Sequence, residues 1–254
     1  MPHNKLLFID LDGTLRNSHR VITKVTKKAI QKTIASNDRI IITSGRNAMY
    51  LKPILLDLNI NDFFIASDGA IIYDLKNDKV EKEHFIAEED LIYILSNIEN
   101  VTYTASNSTN YYYNIKEKNM KLPKISEITI ISKNKKTILK LMSLISLRDN
   151  VNISNYSRYL IDKKNKPTFY YFDVTSSKAS KGLSAQYLYK KLGYKQNQTI
   201  AIGDSINDIS MFKKVGYKVA MENAIPQLKE ISDEITLSNN ENGVKVYLEK
   251  RLKG

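Results

Sequence analysis

Two aspartates one residue apart, Asp10-Leu11-Asp12-Gly13-Thr14, follow the short apolar run Leu6-Leu7-Phe8-Ile9. Such a run reads as a buried strand that ends in a loop. In an open α/β sheet, ligands sit beyond the carboxyl ends of strands, so both carboxylates would project into a binding crevice. Two acids placed there repel, and without a counter-charge one of them is pushed toward its protonated form. A magnesium ion removes the difficulty, because it prefers oxygen ligands and bridges readily to phosphate. The plain alternative is an Asp-Gly turn with an incidental second acid.

Three other places carry comparable chemistry. Gly203-Asp204-Ser205-Ile206-Asn207-Asp208 also follows an apolar strand, Thr199 to Ile202. An acidic pair there supplies metal ligands or the groups that orient them. Helix capping explains Asp204 or Ser205, but not three acids and amides together. Thr43-Ser44-Gly45-Arg46 closes another predicted strand, where a hydroxyl and the N–H groups of a glycine turn make an anion site. Capping accounts for that segment equally well. Ser180-Lys181-Gly182 places a lysine at the start of a helix, where a lone lysine is usually a solvated surface group.

The elements that must position these residues alternate. Lys5 to Ile9, Arg39 to Ile42 and Phe63 to Ala66 read as strands, and Thr23 to Ser36 and Asn47 to Leu58 as helices, with Pro53 kinking the second or shifting its start. This order predicts right-handed crossovers and a mainly parallel, doubly wound sheet. After Ser67-Asp68-Gly69 the rhythm changes: a hairpin at Ala70 to Phe85 leads into a segment where strands outnumber helices and tyrosines concentrate. Alternation returns at Ser180. We therefore expect a Rossmann-like α/β core formed by residues 1–81 and 177–254, interrupted by an inserted α+β domain at 82–176. Tyr103, Tyr111, Tyr112, Tyr113, Tyr156, Tyr159, Tyr170 and Tyr171 of the insert could stack on a ligand, but such residues more often fill a core or cover a strand face.

Bulk properties narrow the classes. With 254 residues and 42% hydrophobic content the chain can bury a substantial core. No apolar run approaches the roughly 20 residues needed to cross a bilayer, and the first residues lack the apolar stretch of a signal peptide. No membrane association is expected. The absence of cysteine excludes disulfides, thiolate metal sites and a cysteine nucleophile, and suits a reducing cytoplasm. A net charge of +12 could mark a nucleic-acid partner. The lysines are spread out, however, with short groups only at Lys133-Asn134-Lys135-Lys136 and Lys163-Lys164-Asn165-Lys166, so a solvated surface that draws in anions is the better reading.

Together the four segments, in this order, resemble the motifs of the haloacid dehalogenase superfamily. Val174 to Gly182, Ser67-Asp68-Gly69-Ala70 and Met221-Glu222-Asn223-Ala224 are similar to signatures of its Cof-like, type IIB sugar-phosphatase branch. The resemblance implies an inserted cap of the C2B type and a Mg2+-dependent phosphatase acting on a small phosphorylated metabolite through an aspartyl-phosphate. It implies Asp10 as nucleophile, Asp12 as acid and base, and metal ligands Asp10, Asp12 through its main-chain carbonyl, and Asp204. Leu11, Ser44, Gly45, Lys181 and Asn207 would hold phosphate, with Asp208, Thr14 and Arg46 supporting them. His3, His19 and His84 match no catalytic position. Two residues depart from the branch: Asp68 stands where Asn is usual, and Asn242 where Asp is usual. Alternatives are a phosphosugar mutase of the phosphomannomutase type and a non-catalytic polyanion-binding protein. A monomer or weak homodimer is expected.

Overall fold

Leu6 to Ile9 contains no polar side chain, which suits a strand covered by helices on both faces. In the computed structural model, which describes residues 4–98, 101–115, 122–154, 157–160 and 167–253, β1 (Leu6–Asp10) is buried at every position. The apolar spacing that follows forms α1 (Lys24–Ala35), capped by the Thr23 hydroxyl, which accepts from the Thr26 N–H. β2 (Arg39–Thr43), α2 (Ala48–Asp57) and β3 (Phe63–Ala66) repeat the alternation. Asn47 caps α2, which begins ahead of Pro53 and runs through it. β4 (Ile71–Asp74) turns back antiparallel to β3, and β5 (Lys79–Glu83) lies beside it at the sheet edge.

The middle of the chain forms α3 (Glu88–Asn97), β6 (Thr102–Ser106), β7 (Tyr111–Tyr113), β8 (Glu127–Ser132), α4 (Lys135–Ile145), β9 (Val151–Ile153), β10 (Ser157–Leu160) and β11 (Pro167–Ser176). The last third forms α5 (Lys181–Lys191), β12 (Thr199–Gly203), α6 (Asp208–Phe212), β13 (Tyr217–Met221), α7 (Pro226–Glu230), β14 (Glu234–Thr236) and α8 (Gly243–Lys253). The chain divides into two compact units, residues 1–81 with 180–254, and residues 82–179.

The first unit is built on an eight-stranded sheet in the order β14-β13-β12-β1-β2-β3-β4-β5. All pairings from β14 to β3 are parallel. From β1 the chain moves outward through β2 and β3, and later builds β12, β13 and β14 on the other side. The order of strands therefore reverses between β1 and β12, where open α/β sheets form their binding crevice. Register aligns Asp10 with Thr43, and Ile9 with Ile202, so the ends of β1, β2 and β12 arrive together.

The second unit is a mixed layer of helices and antiparallel strands in the order β10-β11-β8-β6-β7, with β9 also on β11. Alternate strand residues such as Tyr103, Ile128, Ile130, Phe172 and Val174 pack with Ile94, Ile138 and Ile145 of the helices. Of the tyrosines singled out above, Tyr103 is buried in this core, and Tyr112 and Tyr170 pack against it. Tyr111 and Tyr113 are exposed and meet edge to face at 5.1 Å. β11 is longer than the strand that the sequence pattern predicts over Phe169 to Val174, and β10, which pairs antiparallel with it, has no counterpart in that pattern. His3, Tyr156 and the Lys163 to Lys166 group lie outside the described residues. Among the described residues no helix is long and apolar enough to cross a membrane.

Candidate active site

Asp10 ends β1 with only 4% of its surface exposed, and the start of α5 delivers Lys181 to it. Ser180 caps α5, its hydroxyl accepting from the Leu183 N–H. Gly182 lets α5 approach α6: a β-carbon there would lie 2.0 Å from the Ser210 carbonyl oxygen. The close approach buries the Lys181 ammonium, which donates to Asp10 Oδ1 at 2.5 Å and to Asp208 Oδ1 at 2.8 Å. A buried ammonium is tolerated only with such partners. Burial alone would lower the Lys181 pKa, but the carboxylates of Asp10 and Asp208 outweigh it and hold the pKa above its ordinary value.

The loop after β12 supplies the other acids. Asp208 opens α6, and its Oδ2 accepts from the N–H groups of Asp204 at 3.0 Å and Ser205 at 3.1 Å. Residues 205–207 are used in this turn, so α6 starts at Asp208, two residues later than the helix that the sequence pattern predicts over Ile206 to Lys213. Asp204 Oδ1 accepts from the Thr14 hydroxyl at 2.6 Å. Gly13, at φ +91°, makes room for the same carboxylate, because a β-carbon would fall 2.3 Å from Asp204 Oδ2.

One oxygen each from Asp10, Asp204 and Asp208 lies within 4.8 Å of the others. Asp10 Oδ2 is buried and has no hydrogen-bond partner. Three carboxylates thus face a single ammonium. Burial pushes the Asp10 carboxyl well above its ordinary value, with Asp208 and Asp204 adding to the effect and Lys181 opposing it. Burial also raises Asp204, to about 6, against the lowering effect of Thr14. An orphaned carboxylate oxygen inside an excess of negative charge fits a hard divalent cation.

The β2 end brings the remaining residues. Ser44 is buried, and its hydroxyl accepts from the Arg46 N–H at 3.1 Å. Gly45 lies beside the Asp68 carboxylate. Asn207 is turned to Asp68, donating to its Oδ1 at 2.8 Å while accepting from the Ser205 hydroxyl at 2.6 Å. Leu11 is fully buried, and its carbonyl accepts from the Arg16 N–H. The Asp12 side chain faces two guanidiniums, Arg46 Nε at 2.9 Å and Arg16 Nη1 at 3.6 Å. Both guanidiniums rest on the Tyr50 ring, 5.1 and 5.5 Å from its centroid, and Arg16 donates to the Tyr50 hydroxyl at 2.7 Å.

Sequence reasoning missed Arg16 and Tyr50. The available signal was the spacing, since Arg16 follows Asp12 by four residues in a tight turn and Tyr50 follows Arg46 by four at the start of α2. His19 is exposed in the loop after β1, and half-buried His84 is held below its ordinary pKa by burial and by Lys82 and Lys178.

The profile of the haloacid dehalogenase-like hydrolases matches residues 7–248. A candidate phosphatase of Streptococcus pyogenes is 30% identical, with 94% of this chain and 95% of that protein covered. A Bacillus subtilis protein named as 5-amino-6-(5-phospho-D-ribitylamino)uracil phosphatase is 27% identical, covering 94% of this chain and 92% of its own length. Among solved structures, a haloacid dehalogenase-like hydrolase from B. subtilis superposes with a TM-score of 0.82 at 24% identity, over 96% of this chain and 99% of its own. A subclass IIB sugar phosphatase superposes at 0.78 with 21% identity, over 98% and 99%. At those identities the likeness is one of fold. Matched along nearly its whole length, the chain belongs to the haloacid dehalogenase-like hydrolases, as a phosphatase of that family.

Proposed function

We propose that the chain hydrolyses monoesters of small phosphorylated metabolites with Mg2+, through an aspartyl-phosphate on Asp10, and that residues 82–179 serve as the cap that selects the substrate. The observation that carries this reading is Asp10 Oδ2, buried without a partner among the carboxylates of Asp204 and Asp208. Held by Asp10, Asp204 and the Asp12 carbonyl, Mg2+ supplies the positive charge that lets a carboxylate approach a phosphate dianion.

The chain's own residues then divide the work. Asp10, fixed by Lys181, attacks phosphorus in line, forming an acyl-phosphate bond as the ester P–O bond breaks. Asp12 turns from Arg46 to protonate the departing alkoxide, and afterwards takes a proton from the water that attacks the same phosphorus and releases Asp10. Lys181, the Ser44 hydroxyl and the N–H groups around Gly45 hold the transferring oxygens, with Asn207 beside them. Asp208 keeps Lys181 aimed. A cysteine-free chain of this kind suits the cytoplasm.

The test is a screen of sugar phosphates, nucleotides and cofactor phosphates with and without chelator, using Asp10→Asn as blank. Because two relatives are named for it, a ribitylamino-uracil phosphate belongs in that screen. Mg2+-dependent release of phosphate that vanishes in Asp10→Asn supports the reading. Undiminished turnover by Asp10→Asn removes Asp10 from its role. An isomerised product formed only with a bisphosphate activator would favour the mutase.

A further inference from the structure

The loop from Gly13 to Val21 carries Asp12 at its root and is neither helix nor strand: Leu15 and Arg16 bond back to Asp10 and Leu11, Thr14 bonds to Asp204, and beyond Arg16 the loop closes through Asn17 and the Val21 carbonyl. Its carbonyls and its outer turn are held by a further set of groups, amides from the far end of the chain. Asn223 Nδ2 donates to the Gly13 carbonyl at 2.9 Å, and Asn223 Oδ1 accepts from the Asn239 N–H at 2.9 Å. Asn239 Nδ2 in turn donates to the Arg16 carbonyl at 2.9 Å. Further along, Asn240 Oδ1 accepts from the Ser18 N–H at 3.0 Å. Asn242, in the left-handed region at φ +58°, accepts from the Thr23 hydroxyl at 2.6 Å, at the point where the loop enters α1.

These contacts are placed where they matter for Asp12. Asp12 and Arg16 form an isolated bridge with each other, and Asn223 and Asn239 hold the carbonyls of the residue after Asp12 and of Arg16 itself. We infer that Asn223 and Asn239 are positioning residues for Asp12: a linked pair of side-chain amides that fixes the backbone following the acid, at Gly13 and at Arg16. This accounts for the Met221-Glu222-Asn223-Ala224 segment, which contributes no group to the carboxylate cluster. The geometry requires an amide at 223, since one side chain must both donate to a carbonyl and accept from an N–H. A carboxylate there would set an oxygen against the Gly13 carbonyl.

Both asparagines are near the surface, so water competes for their bonds and their loss costs little stability. Their effect is on geometry, where a displacement of about 1 Å in a reacting group can cost on the order of 100-fold in rate.

The inference rests on Asp12 acting as the acid of the proposed reaction, and the test separates the two. An alkoxide leaving group needs a proton and p-nitrophenolate does not. A displaced acid therefore lowers kcat/KM for glycerol 3-phosphate and spares p-nitrophenyl phosphate. With saturating Mg2+, Asn223→Ala and Asn239→Ala are expected to lose about 10-fold or more on glycerol 3-phosphate and less than about 3-fold on p-nitrophenyl phosphate. Their melting temperatures should stay within roughly 4 °C of the parent. Asp12→Ala should show the same selectivity more strongly. Equal losses on both esters, or none, overturn the positioning role when Asp12→Ala is selective. If Asp12→Ala is itself unselective, the role of Asp12 as acid falls and this inference with it.

Discussion

Replacing Lys181 by methionine keeps an unbranched side chain, one heavy atom shorter, and removes its charge and donors. Lys181 is 1% exposed and its two partners, Asp10 and Asp208, are 4% and 0% exposed. Withdrawing one member of a buried ionic cluster costs about 3–5 kcal/mol, because the charges left behind have no solvent. At roughly 2–4 °C per kcal/mol for a protein of this size, melting should fall by about 6–20 °C. The sign with pH follows from the carboxylates. Asp10 is already raised by burial, and Lys181 is the group that opposes this, so the variant raises Asp10 further. A carboxylate with a raised folded pKa contributes stability that is complete below its unfolded value, near 3.8, and is lost as pH rises through the folded value. The difference between variant and parent should therefore be small at pH 5 and larger at pH 8. Chemical unfolding of both proteins in chelator at the two pH values measures it. A cost below about 1 kcal/mol, or one independent of pH, would mean that Lys181 does not neutralise these acids.

Gly13→Ala places a β-carbon 2.3 Å from Asp204 Oδ2 in a left-handed backbone, and should lower activity about 100-fold while raising the Mg2+ concentration needed for half-maximal rate. Normal Mg2+ activation of that variant would separate Asp204 from the metal. Because the Asp204 carboxyl is raised to about 6, protons compete with the cation below that pH, and calorimetric Mg2+ affinity should weaken as pH falls from 7 to 5. Thr14→Val removes the hydrogen bond that lowers Asp204, so its loss of affinity should begin at a higher pH; an unshifted profile would refute the contact. Asp68→Asn preserves an oxygen for Asn207 while removing a negative charge that acts on Lys181. For a half-buried charge worth about 0.2–1 kcal/mol, KM for a phosphate dianion should fall by up to about fivefold with kcat nearly unchanged, and a raised KM would contradict it.

The core strands were legible because a strand buried on both faces must be apolar at every position. Leu6 to Ile9, Ile40 to Ile42 and Ile200 to Ile202 are such runs, each closed by small or polar residues that end the strand. The alternation of these runs with amphipathic helices then dictates a parallel sheet with its crevice where the strand order reverses. β10 was not legible, since it is held by its antiparallel pairing with β11, a partner the local sequence does not name. α6 began late for a similar reason: Ile206 continues an apolar helical pattern, but Asp208 draws the N–H groups of Asp204 and Ser205 into a turn first.

Within the site, residue type and place along a strand predict which groups reach the crevice, but not which of them pair. Asp10, Lys181, Asp204 and Asp208 could be named because each stands at a strand end or helix start that the topology gathers together. The partners of Asp12 and Asn207 could not be. Arg46 and Arg16 reach Asp12 because one exposed tyrosine ring supports both guanidiniums, and Asn207 meets Asp68 across 139 residues of chain. The two departures from the family pattern show why such exchanges survive. Asn242 accepts from the Thr23 hydroxyl through an oxygen that a carboxylate would also offer, and Asp68 accepts from Asn207 as an amide oxygen could. Each exchange keeps the acceptor and changes only the charge. At Asn242 the partner is a neutral hydroxyl, so charge is of little consequence. At Asp68 the added negative charge acts on Lys181, and there the exchange bears on how strongly the site attracts a phosphate.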